Sequence, residues 1–334
     1  MILITGANGL VGSYLCRYLL QRGKSIRALR RTGSDMRLVE DIKDQIEWVE
    51  GDILDVVSLE DAMLGVDHVF HCAAMISYVA KNRDQLMQVN VEGTSNVVNV
   101  ALDSGIKKLV YISSIAALGR TGKDGETVNE ETPWERKNLT SDYSVSKFLA
   151  EREVWRANAE GLKVVIVNPA IIVGAGNWNA GSCKLFTTVH SGFKFYTGGV
   201  TGYVDVRDVA KIAATLMESE TEGQRFVLCS ENISYKDFLT SIARAMQVKG
   251  PTVLAGKFLS GMAWRMEGMK SMFTGKEPTV TRQTATIANK KVYFDNTKIR
   301  ALGYDFIPLQ QSISETAEAF NSELQTGNFQ PLKF

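Results

Sequence analysis

Histidine, cysteine and proline are scarce in this chain: three, four and six among 334 residues. Cys16, Cys72, Cys183 and Cys229 lie far apart and form no C-x-x-C pair, which excludes a zinc knuckle and leaves no disulfide framework. His68 and His71 sit on or beside one short apolar strand, so they read as strand-edge or satisfied core residues, and no metal is expected. An excess of charge is also missing. Lys+Arg 38 against Asp+Glu 37 leaves a net charge of +1, too little to mark a nucleic-acid surface or a polybasic membrane anchor. No apolar run reaches the ~18 residues a membrane span needs; Arg265, Glu267 and Lys270 interrupt the Met-rich stretch Phe258–Phe273. The chain starts at once on the apolar run Met1-Ile2-Leu3-Ile4, unlike a signal peptide. These absences predict a soluble, cytoplasmic protein with no nucleic-acid and no membrane partner.

What is present is ordinary globular material, 45% hydrophobic and 22% charged. The length suggests one large α/β domain or two lobes, at roughly 150 residues per domain. Short Val/Ile-rich runs alternate with amphipathic stretches. Strands are predicted at Ile2–Ile4, Ser25–Leu29, Ile46–Val49, Val66–Cys72, Lys108–Ser113 and Val164–Val167. Helices are predicted over Leu10–Leu20 (stopped by Gly23), Arg83–Asp103 and Asp142–Asn158. Continuous apolar strands between such helices imply a parallel sheet covered on both faces. After Pro169 the pattern loosens: residues 174–203 are rich in glycine and aromatics, and the remainder to Phe334 reads mostly helical. A helix over Asp205–Glu218 and a strand at Arg225–Leu228 are expected to return to the main sheet. The predicted fold is thus α/β, a Rossmann doubly wound parallel sheet with a smaller, mostly helical C-terminal substrate lobe. The first domain takes 1–173 with 205–230, and the lobe takes 174–204 and 231–334.

Between the first strand and the first helix runs Thr5-Gly6-Ala7-Asn8-Gly9-Leu10-Val11-Gly12. A backbone that turns sharply there and approaches a pyrophosphate favours residues without Cβ, and the helix N-terminus offers free N–H groups to the phosphates. Gly6, Asn8, Gly9, Leu10, Val11 and Gly12 are therefore candidate dinucleotide contacts. Where NAD would call for an acid after the second strand, the sequence has Arg27-Ala28-Leu29-Arg30-Arg31-Thr32-Gly33-Ser34. A guanidinium can grip a 2′-phosphate, so NADP(H) is favoured over NAD(H), with Arg31 the leading contact, Arg30 or Ser34 assisting and Arg27 in the same basic cluster. Further on, Tyr143-Ser144-Val145-Ser146-Lys147 spaces a phenol and an ammonium at i and i+4, on one helix face. The positive charge is expected to lower the Tyr143 pKa and make it a usable acid/base.

Together, a G-x-x-G-x-x-G turn and a Y-x-x-x-K pair in this order resemble the extended short-chain dehydrogenases/reductases, the NAD-dependent epimerase/dehydratase family. The resemblance covers nearly the whole chain, though the last third matches only in helical style. It implies a Ser–Tyr–Lys triad, with Ser114 preferred to Ser113 for orienting the reacting oxygen. It also places Asp52, with Ile53, at the adenine, the small residues Cys72-Ala73-Ala74 beside the cofactor, and Pro169 and Ile172 in the segment passing the nicotinamide. Lys147 would hold the nicotinamide ribose. Asp52 can equally cap its own turn. The run Tyr203–Ala210 reads as structural, with Asp205 capping the next helix and Asp208 supporting its first turn.

Departures from the family narrow the chemistry. Ile115-Ala116 follows Ser114 where dehydratases carry an Asp-Glu pair, and Leu118-Gly119 replaces the usual Tyr-Gly. Ile171 and Thr201 stand where sugar-nucleotide epimerases have an Asn and an Arg for the diphosphate, which would be poorly satisfied here. What remains is closest in style to dihydroflavonol reductases and 3β-hydroxysteroid dehydrogenases. The leading expectation is an NAD(P)-dependent oxidoreductase interconverting a ketone or aldehyde and an alcohol on a small, relatively apolar substrate. Met75–Tyr78 is a candidate substrate loop, and Phe258, Met262, Met266 and Met269 form a stripe that reads first as core. The alternatives are a nucleotide-sugar epimerase and a non-catalytic dinucleotide sensor; a homodimer is possible for such a chain.

Overall fold

The computed structural model describes residues 1–135, 141–256, 264–265 and 281–334. The first half alternates β1 (Ile2–Thr5), α1 (Leu10–Gln21), β2 (Ile26–Arg30), β3 (Glu47–Glu50), α2 (Val56–Met63) and β4 (His68–His71). There follow α3 (Arg83–Met87), α4 (Gly93–Asp103), β5 (Lys108–Ile112), the short β6 (Glu126–Val128), α5 (Asp142–Ala159) and β7 (Val164–Pro169). Then come β8 (Ile171–Val173), α6 (Lys184–His190), β9 (Phe195–Tyr196), β10 (Val200–Asp205), α7 (Val206–Glu218) and β11 (Gln224–Leu228). The last part holds β12 (Glu231–Ser234), α8 (Tyr235–Ala245), β13 (Val253–Leu254), a helix Arg282–Ile287, β14 (Val292–Phe294) and a long helix Leu309–Thr326.

Seven parallel strands form the central sheet in the order β11-β7-β5-β4-β1-β2-β3. The doubly wound sheet is as expected, and Gln224–Leu228 completes its edge beside β7. Burial on both faces explains the uninterrupted apolar strands: all five β5 positions are buried. One core cluster joins α1 and α7 with Phe238, Ile313 and Phe320 on one face. The other joins α2, α4 and α5 on the opposite face. The order reverses between β1 and β4, so the crevice where such sheets bind ligands opens beyond Thr5 and His71.

Three expectations need correction. The helix predicted over Arg83–Asp103 is not regular: between α3 and α4 it widens into one π-type turn, Gln88–Glu92. That turn points Asn90 inward, where Nδ2 donates to the Met75 carbonyl and to Ser146 Oγ, at 2.9 Å each, while Oδ1 accepts from Met75 N. Residues after Pro169 are more ordered than their composition suggests, because β8, β10 and β12 form a second sheet. The last third also contributes β12, β13 and β14, so it is less purely helical than predicted. The methionine stripe at Met262, Met266 and Met269, with Phe258, lies outside the described residues. Among those described, no helix is long and apolar enough to cross a membrane, and no His/Cys/Asp/Glu group could hold a metal ion.

The Tyr203–Ala210 motif is structural in the way its sequence suggested. Asp205 caps α7 by accepting from Arg207 N at 2.8 Å, and its carboxylate also takes Nε and Nη2 of Arg207. Arg207 reaches on to the Lys333 carbonyl, and Asp208 accepts from Ile307 N. The chain's last residues return to α1: Tyr14 Oη accepts from Leu332 N at 2.9 Å, and the Phe334 ring lies 5.0 Å from that of Tyr18. Asp205 is fully buried and Arg207 nearly so. Asp205→Ala removes a cap and one of the two carboxylates of a buried guanidinium, which keeps Glu315 at 2.6 Å, so it should lower the unfolding free energy by about 1–3 kcal/mol, read from urea midpoints.

Candidate active site

The glycine turn occupies the crevice at the switch point. Gly6 adopts φ +69°, and a Cβ there would stand 2.7 Å from Ala73 N. A Cβ on Gly12 would stand 2.2 Å from the Gly6 carbonyl oxygen. The turn thus folds back on itself and against Ala73 more closely than any Cβ would allow. Helix α1 starts on Gly9 with no capping side chain and no acid in its first turn, so its leading N–H groups at Leu10, Val11 and Gly12 are free for an anion. This fits a pyrophosphate. Asn8 donates to the Asp35 carbonyl, fastening the loop after β2 against the turn.

Arg30, half-buried, ends β2 and Arg31, exposed, opens that loop, and neither forms an ion pair among the described residues. Arg27 is different, which corrects its grouping with them. Its Nε pairs with Glu47 at 2.8 Å and its Nη1 holds the Ala62 and Leu64 carbonyls at the end of α2. Asp52 accepts from Leu54 N, closing its own turn. Ile53 is buried against α4. Cys72, Ala73 and Ala74 grade from half-buried to exposed along the crevice floor. Pro169 is buried and Ile172 half-buried on the facing wall.

Helix α5 delivers the phenol and the ammonium. Ser141 caps it by accepting from Ser144 N, so the first turn is fixed and Tyr143 and Lys147 point inward, 7% and 1% exposed. Tyr143 is hydrogen-bonded to Ser114, which the end of β5 presents as the cap of a short turn. The structure thus joins Ser114 to Tyr143 and sets Lys147 one turn further along the same inward helix face. The Tyr78 ring meets Tyr143 edge-on at 5.7 Å, placing the Met75–Tyr78 loop over the phenol.

The electrostatics differ from expectation. Burial pushes the Tyr143 phenol well above its usual range, with Tyr78 adding to the rise and Ser114 opposing it. Lys147 does not lower it, because its Nζ points elsewhere: it donates to Tyr111 Oη at 2.7 Å and to the Ile112 carbonyl at 3.1 Å. Burial brings Lys147 down to about 7, with Glu151 and Cys72 opposing the fall. Tyr111 in turn bonds Thr94, which His71 Nε2 contacts at 3.0 Å, and His71 Nδ1 meets Thr5 Oγ1 at 2.7 Å. Burial holds His71 down to about 3, so it is neutral and satisfied, the core histidine its strand suggested.

Sequence reading missed Tyr111, Asn90, Asn168 and Glu151. For Glu151 the signal was present: it follows Lys147 by the same four residues that separate Lys147 from Tyr143.

Against known proteins, the model of the NAD dependent epimerase/dehydratase family matches residues 2–229. A dihydroflavonol 4-reductase-like protein of Synechocystis sp. is 31% identical, over 96% of this chain and 94% of its own. Cinnamoyl-CoA reductase 1 of Petunia hybrida is 28% identical, over 97% and 92%. The crystal structure of gox2253 superposes with a TM-score of 0.83 at 31% identity, covering 99% of both chains.

Lys147 makes stability depend on pH. Its folded pKa of about 7 lies below the ordinary 10.5, so the unfolded chain binds the extra proton between those values. The cost of burying Lys147 is therefore full below pH 7 and fades as pH rises toward 10.5. The stability difference between Lys147→Met and the unaltered protein should shift steadily in favour of the unaltered protein as pH rises from 6 to 10, read in urea titrations.

Proposed function

We propose a specific reaction for this chain, which belongs to the NAD dependent epimerase/dehydratase family of enzymes: NADP(H)-dependent interconversion of a ketone or aldehyde with an alcohol, on a small and relatively apolar substrate. The carrying observation is the bond between Ser114 and Tyr143, set beside buried Lys147 at the mouth of the switch-point crevice. A dinucleotide held there would supply hydride chemistry at the substrate carbon. The chain's own groups handle the oxygen. Ser114 Oγ orients and polarises it, and Tyr143 Oη passes a proton to it. Burial keeps that phenol protonated, the form that serves carbonyl reduction. Lys147 stands one helical turn away as an ammonium near its titration point.

Gly6, Asn8, Gly9, Leu10, Val11 and Gly12 would hold the pyrophosphate, Asp52 and Ile53 the adenine side, and Ala73, Ala74, Pro169 and Ile172 the nicotinamide end, with Cys72 in the floor. Arg30 and Arg31 would take the 2′-phosphate, Arg27 being occupied. The lobe of residues 174–204 and 231–334 would complete the substrate side. Reductases among the relatives support the redox reading over sugar-nucleotide epimerisation, as do Ile171 and Thr201, which offer no charge to a diphosphate. We place the enzyme in the cytoplasm.

Purified protein given NADPH and a panel of aldehydes and ketones should consume the cofactor, followed by nicotinamide absorbance. Tyr143→Phe should lower kcat by at least ~100-fold with cofactor affinity nearly unchanged; full turnover by that variant overturns the mechanism. Tightly retained cofactor with no net consumption on sugar nucleotides would favour epimerisation instead. Arg31→Ser should raise the KM for NADPH ~10-fold or more while leaving NADH nearly unaffected, since a charge-assisted phosphate bond is worth about 1.5–3 kcal/mol. A clear NADH preference in the unaltered protein would sink the NADP(H) assignment.

A further inference from the structure

Glu151 has no part in the reaction as written, yet it is 1% exposed and fully engaged beneath the triad. It lies on α5 one turn beyond Lys147, so Tyr143, Lys147 and Glu151 line one inward face. Its Oε1 accepts from Ser113 Oγ at 2.6 Å and from Asn168 Nδ2 at 2.5 Å. Its Oε2 accepts from Arg225 Nη1 at 3.1 Å. Asn168 and Arg225 lie on the neighbouring strands β7 and β11, and Ser113 directly follows β5 beside them. Asn168 Nδ2 also donates to the Ser114 carbonyl at 3.0 Å. One carboxylate therefore grips the backbone of Ser114 twice, through its neighbour Ser113 and through Asn168.

The same carboxylate sits one helical turn from Lys147, and its charge favours the ammonium. The groups around that ammonium are Tyr111 on β5, neutral His71 on β4 with Cys72 just beyond it, and Glu151 on its own helix. Of these, Glu151 alone is an acid. Arg225 offsets part of its charge and is itself held at the Glu130 carbonyl.

We propose that Glu151 is the positioning residue of this site, seating Ser114 through Ser113 and Asn168 and serving as the counter-charge to the Lys147 ammonium. This rests on the reaction proposed above. It separates two roles that substitutions can split. A glutamine keeps an oxygen for Ser113 and Asn168 but carries no charge; an aspartate keeps the charge but falls short of the strands.

Removing the charge makes the Lys147 ammonium easier to lose. In Glu151→Gln the alkaline limb of the kcat/KM profile should move about one pH unit lower. In Glu151→Asp the limb should stay and kcat should fall at least ~10-fold, because a 1 Å displacement of the catalytic hydroxyl is enough for that. Ser113→Ala should slow turnover without moving the limb. A second readout needs no turnover: NMR titration of the protein labelled with [ε-13C]lysine, the Lys147 signal assigned by its absence in Lys147→Arg. Its midpoint should fall by about one unit in Glu151→Gln and hold in Ser113→Ala and Glu151→Asp. An unmoved midpoint in folded Glu151→Gln overturns the proposal. So does an equal fall in Ser113→Ala, or, if Glu151→Gln does not fold, an unchanged kcat in Glu151→Asp. A shifted midpoint in a protein that reduces no carbonyl would sink the reaction and leave the counter-charge standing.

Discussion

An ammonium out of reach of water is the constraint around which this protein is arranged. A buried lysine is costly unless its protons find acceptors, and Lys147 finds them in a phenol and a strand-end carbonyl rather than in a single acid. Each acceptor is then supported in turn. Tyr111 leans on Thr94, Thr94 on the Asn90 carbonyl and on His71, and His71 on Thr5 at the start of the glycine turn. The glycine turn and helix α5 are thus tied through one buried polar chain. Such chains stiffen a site when every member is satisfied.

The sheet makes that connection possible. Strand order brings β1 and β4 side by side and β5 next to them, so Thr5, His71 and Tyr111 meet although they are far apart in sequence. Gly6 can pass the Ala73 amide only because it lacks a Cβ. The same close approach that opens room for a pyrophosphate therefore also lets the polar chain run beneath it. Binding and proton handling share one packing solution.

Much of this was legible beforehand. The doubly wound sheet followed from Val/Ile-rich runs spaced by amphipathic helices, and the glycine turn and Tyr143–Lys147 pair from local spacing alone. What local spacing cannot encode is which way a side chain points once several elements converge. Lys147 was expected to act on Tyr143; it turns to Tyr111, a residue on another strand. Arg27 looked like its neighbours Arg30 and Arg31, but its guanidinium is taken by Glu47 on β3 and by carbonyls at the end of α2. The π-type turn at Gln88–Glu92 has no periodic signature either, since it exists to satisfy Asn90 against Met75 and Ser146. The failures cluster where polar groups meet across elements, and the successes where one element suffices.

Leu332 N donates to Tyr14, 318 positions earlier in the chain. Helix α1 also packs along α7, some two hundred residues downstream. Contacts of such long sequence separation cost loop entropy before they repay it and slow folding. Helix α1 therefore precedes in synthesis most of the elements that seat it. A nascent chain can have its glycine turn written in full while lacking the wall that holds it, so dinucleotide affinity should emerge late, as a property of the finished chain rather than of its first βαβ unit.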